Sequence, residues 1–307
     1  DSLKCNESGL YMRSIALARG TVAIVVRIPH SWAQPHVVHF QKHWRFYSRN
    51  SAGKYPLDVS EVRAAFALSE TVAERTRLFR AERLGRIVAG ETPVVLEGNA
   101  KTVKEEQRSG AFHPSARLDL STLGDEVWWS VRPIFSRRVD RWRHNLDGVV
   151  TFVQPRTAPA HSYVQIFRNG SIEAVDTRLL TPPFHGVPSI PSIDFERALI
   201  KALQGYLSIQ ERLGVPPPVF VMLSLLGVSG FLMDVNRGVY HLMDNVYPID
   251  RDALVLPEVV AEGYSVDHAR VLRPAFDSVW NSAGWPRSMN YDEEGEWGKG
   301  PNSRQST

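Results

Sequence analysis

The sequence predicts an α/β or α+β fold in which short mixed sheets are covered by helices, arranged as two domains. Three observations carry this expectation. Residues 21–28 (TVAIVVRI) form the β-branched run of a buried strand. Residues 162–176 (SYVQIFRNGSIEAVD) alternate apolar and polar side chains on both sides of an Asn-Gly turn, the signature of a hairpin. Residues 61–89 and 192–213 carry apolar stripes at helical spacing. A chain of 307 residues is long enough for a large core and for more than one domain.

The elements follow in order. Pro29 ends the first strand, and a loop runs through His30, Ser31 and Pro35. HVVHF and WRFYSR read as two further short strands, and Asn50 to Gly53 as a turn. Asp58 or Ser60 caps a helix that begins at Glu61. Its apolar stripe is Ala65, Leu68, Val72, Leu78, Phe79, Leu84, Ile87 and Val88. Its arginines, Arg75, Arg77, Arg80, Arg83 and Arg86, read as a solvated polar face. Residues 91–111 lack apolar periodicity and read as a linker, so the predicted divisions are 1–66, a following helix 67–90, the linker, a second domain 112–285, and a polar disordered tail 286–307. In the second domain, Asn169-Gly170 favours a two-residue primed turn. Gly214 stands where the cap of the helix 192–213 belongs. Residues 219–226 read as a buried strand, 254–260 as another, and Pro274 as the first turn of a last helix carrying Phe276 and Trp280.

Charge is unevenly spread. Residues 1–110 hold 17 Lys/Arg against 11 Asp/Glu, and residues 111–307 hold 19 against 22, so the net charge of +3 is the sum of +6 and −3. From Ser8 to Leu57 there are seven Lys or Arg, four His and no carboxylate. The cations Arg13, Arg19, Arg27, Lys42, Arg45, Arg49 and Lys54 alternate with Tyr11, Trp32, Phe40, Trp44, Phe46, Tyr47 and Tyr55. Cations interleaved with rings suit a polyanion that has flat faces, such as single-stranded RNA or DNA. The same pattern also describes a small sheet with a solvated basic face.

Other chemistries find little support in the sequence. Cys5 is the only cysteine, which excludes an intrachain disulfide and fits a reducing cytoplasm. The N-terminus lacks the basic and apolar regions of a signal peptide. Residues 216–233 are uncharged and mostly apolar until Met233, but three prolines and two glycines break them, so they read as buried strands rather than a membrane helix. No phosphate loop is present, and Gly227 to Gly230 is one residue short of a nucleophile elbow. His36, His39 and His43 would share a helix face, but Pro35 and Val37-Val38 argue for a strand, and no metal site is expected. The acid pairs Glu105-Glu106, Asp125-Glu126 and Asp292 to Glu294 read as solvated loop or tail charge. No catalytic residue is assigned.

Ile28, Pro29, Ser31, Pro35, His36, Tyr47, Arg49, Lys54, Glu61 and Arg63 trace a pattern: strand, I-P-x-S, P-H, a Y-x-R strand, then a basic turn before a helix opening with E-V-R. This pattern resembles the C-terminal part of the Schlafen AlbA-type domain of bacterial proteins, a nucleic-acid-binding or divergent ATP-binding domain. The later segments YVQIFRNGSIEAVD, PPPVFVMLSLLGVSGF and LRPAFDSVWNSAGWPRS look like the C-terminal region of the same bacterial group. That family's N-terminal half, with its paired glutamates and lysine, has no match before Ser14. The chain therefore looks like a truncated or separately encoded tail of the domain. The acid-free basic run and the resemblance together lead to an expected nucleic-acid partner, contacted by Arg27, His30, Ser31, Trp32, His36, Arg45, Tyr47, Arg49 and Lys54. ATP enters through the resemblance alone. The alternatives are part of an ATP-hydrolysing enzyme or metal-dependent nuclease completed by a missing half or a separate chain, and a protein-interaction module.

Overall fold

The computed structural model describes residues 11–16, 22–27, 37–40, 43–50, 53–96, 101–108, 118, 120, 123–180, 188–235 and 247–303. The fold is α+β, with antiparallel sheets and helices. Its centre is an eight-stranded sheet. The strands are β6 (Lys101–Arg108), β7 (Arg141–His144), β8 (Gly148–Val153), β9 (Ser162–Phe167), β10 (Ile172–Asp176), β12 (Val219–Leu226), β14 (Ala253–Val255) and β15 (Val259–Ala261). Their order is β14-β12-β6-β10-β9-β8-β7, with β15 beside β12, and every pairing is antiparallel.

Strands β8, β9, β10 and β12 are buried along their whole length. Such burial requires cover on both faces of the sheet, because successive side chains point to opposite sides. On one face lie helices α3 (Ser192–Arg212) and α4 (His268–Ser282), which pack on each other. Phe195, Leu199, Leu203, Phe276 and Trp280 from these helices meet Val149, Val164, Ile166, Val221 and Leu223 of the sheet in one core. The other face carries Val103, Val150, Phe152, Tyr163, Val175 and Leu226, packed under Ile87 and Leu84 of the 30-residue helix α1 (Val59–Val88).

Helix α1 starts at Val59, two residues earlier than expected, and of the two expected caps it uses Asp58. Asp58 accepts from the Glu61 amide at 2.8 Å, and Glu61 accepts from the Asp58 amide at 3.0 Å, a reciprocal capping box. Its buried face differs from the expected one. Thr76, Arg80, Arg83 and Ile87, at spacings of four, three and four, are buried, whereas Leu78 and Val88 are exposed. The helix turns two arginines toward the sheet because the sheet offers them acceptors. Arg83 makes two bonds to Glu173 of β10, at 2.7 and 3.0 Å. Arg80 donates to the Ser224 hydroxyl, to the Leu256 carbonyl at 2.6 Å, and to the Leu223 carbonyl.

Four further expectations change. Residues 101–108, read as part of a linker, form β6, which is hydrogen-bonded to β12 on one side and β10 on the other. Glu105-Glu106 therefore lie on a strand rather than in a loop. Two flanking strands, both buried and in register with it, impose extended structure on a segment whose own pattern does not ask for it. The segment from Pro286 to Ser303, read as disordered tail, packs on the body. Tyr291, Ser288, Asn290 and Asn302 are buried, and the Trp297 indole donates to Glu196 of α3 at 2.7 Å. Pro274 stands inside α4 rather than in its first turn, because the helix starts earlier, capped by Asp267 accepting from the Arg270 amide at 3.0 Å. Residues 254–260 hold parts of two short strands rather than one.

The hairpin of β9 and β10 is present, but its turn is one residue longer than expected. Phe167 and Ser171 are hydrogen-bonded at 2.9 Å, Gly170 donates to the Phe167 carbonyl at 2.9 Å, and Gly170 takes φ +86°. This leaves the three residues 168–170 as the turn, closed by a left-handed glycine. A Cβ on Gly170 would stand 2.6 Å from Val215 Cγ2 and 3.1 Å from Leu118 Cδ1. Gly170→Ala therefore meets both backbone strain and a buried clash, and is expected to cost about 1–3 kcal/mol in urea unfolding. An unchanged midpoint would contradict the turn geometry.

Three smaller sheets complete the described strands. Strands β1 (Tyr11–Ala16) and β2 (Val22–Arg27) pair with each other. Strands β3 (Val37–Phe40), β4 (His43–Asn50) and β5 (Gly53–Pro56) form a three-stranded antiparallel sheet leading into α1. The sequence shows β2, β3 and β4; β1 and β5 carry no comparable apolar signal. A last pair, β11 (Ser189–Pro191) with β13 (Leu232–Asp234), is parallel. No described helix is long and apolar enough to cross a membrane.

Candidate nucleic-acid interface

Strand alternation decides which of the basic and aromatic residues can act together. In β4, His43, Arg45, Tyr47 and Arg49 share one face, while Trp44, Phe46 and Ser48 share the other. Register extends each face across the sheet. Arg49 lies directly opposite Lys54 and Tyr47 opposite Pro56, so Lys54 joins the face of Arg45, Tyr47 and Arg49. Tyr55, opposite Ser48, joins the other face.

The second face is the one attached to α1. The Phe46 ring meets the Phe66 ring edge-on at 6.0 Å, and the Tyr55 hydroxyl donates to Glu61 at 3.1 Å. Trp44, 66% exposed, stacks on His39 at 4.2 Å on that same face. Interleaving along the sequence thus becomes separation in space. Most of the rings in this sheet turn toward the helix, and the cations turn away from it.

The first face is left with Arg45, Arg49 and Lys54, all exposed, around the half-buried ring of Tyr47. The Lys54 ammonium sits 4.3 Å from the centre of that ring. No residue between Val37 and Leu57 is acidic, so no carboxylate of this sheet opposes the cations. Arg49 directly opposite Lys54 is a like-charge cross-strand pair, an arrangement that costs stability unless an anion joins it.

Of the nine residues expected to contact nucleic acid, four are thus gathered on one face: Arg45, Tyr47, Arg49 and Lys54. Arg27 ends β2, opposite Tyr11. His30, Ser31, Trp32 and His36 lie outside the described residues. Among the described residues no three His, Cys, Asp or Glu side chains are grouped so as to hold a metal ion.

A second concentration of positive charge escaped the sequence reading. Arg137, Arg138, Arg178, Arg197 and Lys201 line one cleft on the central body. They come from separate segments of a region whose overall balance is acidic, so only the doublet Arg137-Arg138 leaves a trace in the sequence. No family model, curated protein or solved structure matches the chain.

Proposed function

We propose that this chain binds single-stranded RNA or DNA through the face of β3–β5 that carries Arg45, Tyr47, Arg49 and Lys54. The observation that carries this reading is the opposed pair Arg49 and Lys54, with the Lys54 ammonium over the Tyr47 ring and no acid in the sheet. The cations pair with successive phosphates, and the ring receives a base. To stack there the base displaces Lys54. An exposed cation–ring contact is worth about 0.5–1 kcal/mol, against about 1–3 kcal/mol for stacking a base on an aromatic side chain. The exchange favours the base, and it releases the ammonium to a phosphate. The described face offers cations, one ring and His43 and no carboxylate, a set suited to holding a polyanion, so the reading is of binding. The resemblance to the Schlafen AlbA-type domain supports the same reading through Tyr47, Arg49 and Lys54.

The test is fluorescence anisotropy of labelled single-stranded RNA, single-stranded DNA and duplex DNA at low and moderate salt. Saturable binding of a single strand is expected, with affinity falling as salt rises. Reversing Arg45, Arg49 and Lys54 together to Glu should weaken binding at least tenfold. It should also flatten the log–log salt slope by about 2, since each lost phosphate contact removes about 0.7 for a single strand. Binding that the triple reversal leaves unchanged would refute the assignment.

A further inference from the structure

The cationic cleft on the central body is a separate feature. Its volume is about 620 Å³, within the range of roughly 300–1,000 Å³ usual for small-molecule sites. Five cations and one carboxylate line it. The carboxylate, Asp194, is already bound to Arg197 at 2.6 Å, and Arg138 is bound to Asp140 at 2.8 Å. Arg137 and Lys201 make no ion pair among the described residues.

The walls are held in place from behind. The buried carboxylate of Asp176 accepts from the Arg178 amide at 2.8 Å and the Leu179 amide at 3.1 Å with one oxygen, and from the Phe135 amide at 3.3 Å with the other. One side chain thus fixes both the turn that carries Arg178 and the segment that carries Arg137 and Arg138. Ser136 closes that segment by donating to the Arg138 carbonyl at 2.7 Å. The third wall is α3, whose exposed Asp194, Arg197 and Lys201 fall at helical spacing, and Tyr206 of α3 ties it to the Arg132 carbonyl at 2.9 Å. Val153 and Ala198 are buried and give the cleft an apolar floor, with the exposed ring of Phe135 at its edge.

We infer that this cleft binds a phosphorylated small molecule of nucleotide size that carries at least two phosphates. One phosphate engages one guanidinium in a two-point contact. A diphosphate spans two walls and neutralises Arg137 and Lys201, which pair with no carboxylate among the described residues. The apolar floor and the Phe135 ring suit the uncharged part of such a molecule. Positive walls pre-set by buried hydrogen bonds spare the ligand the cost of ordering them.

The test uses isothermal titration calorimetry of the full chain with orthophosphate, inorganic pyrophosphate and ADP, at low and moderate salt. Pyrophosphate and ADP should bind with one site per chain and more tightly than orthophosphate. Arg137→Glu with Lys201→Glu should weaken both at least tenfold while the circular dichroism spectrum stays unchanged. The triple reversal at Arg45, Arg49 and Lys54 serves as a control for general charge, and pyrophosphate binding should survive it. The inference is overturned if neither pyrophosphate nor ADP binds at low salt, or if the cleft variant binds them as well as the parent. It is equally overturned if single-stranded RNA competes with pyrophosphate and loses its own affinity in the cleft variant, which would make the cleft part of a polynucleotide track. Failure of RNA to bind the parent chain would refute the β3–β5 interface and leave the cleft's result standing.

Discussion

Replacing Arg83 with Met is expected to destabilise the protein by about 3–5 kcal/mol, the usual cost of removing one partner from a buried ion pair. Both groups are out of water, with 6% of the Arg83 side chain and none of the Glu173 side chain exposed. Glu173 accepts two bonds from Arg83 and a third from the Tyr163 hydroxyl at 2.7 Å. Burial works to lower the guanidinium's affinity for its proton, but the hydrogen bonds and charge of Glu173 outweigh it and raise that affinity, so Arg83 stays charged at every accessible pH. Without Arg83, the buried carboxylate keeps Tyr163 alone as a donor among the described residues and has lost its counter-charge. The paired replacement, Arg83→Met with Glu173→Met, removes both charges at once. It is expected to lie within about 1–2 kcal/mol of the parent, because a buried pair gains little over a well-packed apolar one. Urea unfolding of the parent, both single variants and the double variant measures the coupling directly. Additive single costs would mean that the two groups do not depend on each other.

Glu196 should give the protein a stability that declines as pH rises. This carboxylate lies buried between α3, α4 and the C-terminal segment. One oxygen accepts from the Trp280 indole at 2.8 Å and the Ser288 hydroxyl at 2.7 Å, and the other from the Trp297 indole at 2.7 Å. Burial raises its pKa; the hydrogen bonds from Ser288, Asn290, Trp280 and Trp297 pull the other way without cancelling it. A carboxyl that binds its proton more tightly when folded contributes its full stability below its unfolded pKa, near 4.5. That contribution is lost as pH climbs through the higher folded value, at about 1.4 kcal/mol for each unit by which folding raises the pKa. Asp176, also raised by burial, adds to the same trend. Glu196→Gln removes one titration. The variant loses the acceptor facing Trp297, so it starts less stable than the parent at low pH, and it should gain on the parent steadily as pH rises. The unfolding free energies of both proteins between about pH 4 and 8 decide the point. A difference that moves toward the parent with rising pH would show that the four donors, rather than burial, set the protonation of Glu196.

These two buried carboxylates, Glu173 and Glu196, were invisible as such in the sequence, where nothing near either of them names its partner. The charged partner of Glu173, Arg83, lies 90 residues away, and the partners of Glu196 lie 84, 92 and 101 residues away. Periodicity reports on the residues of one element and carries no information about the element that will face it.

The same limit explains what was legible and what was not. The sequence by itself determined the elements whose local pattern is self-sufficient: β2 and β12 from their β-branched or apolar runs, the hairpin about Asn169-Gly170, and α3 with its cap at Gly214. It also located an acid-free basic segment, and strand alternation alone places Arg45, Tyr47 and Arg49 on one face. Tertiary structure decided the rest. It made a strand of the charged residues 101–108, because two neighbours satisfy that segment's backbone hydrogen bonds at once. It buried Arg80 and Arg83, because the sheet supplies a carboxylate, a hydroxyl and carbonyls to receive them. It folded residues 286–303 onto Glu196, and it gathered cations from distant segments into one cleft. Each of these outcomes depends on pairing a polar group with a partner remote in sequence. Hydrophobic patterning is a local property of the chain, whereas polar satisfaction belongs to the assembled fold.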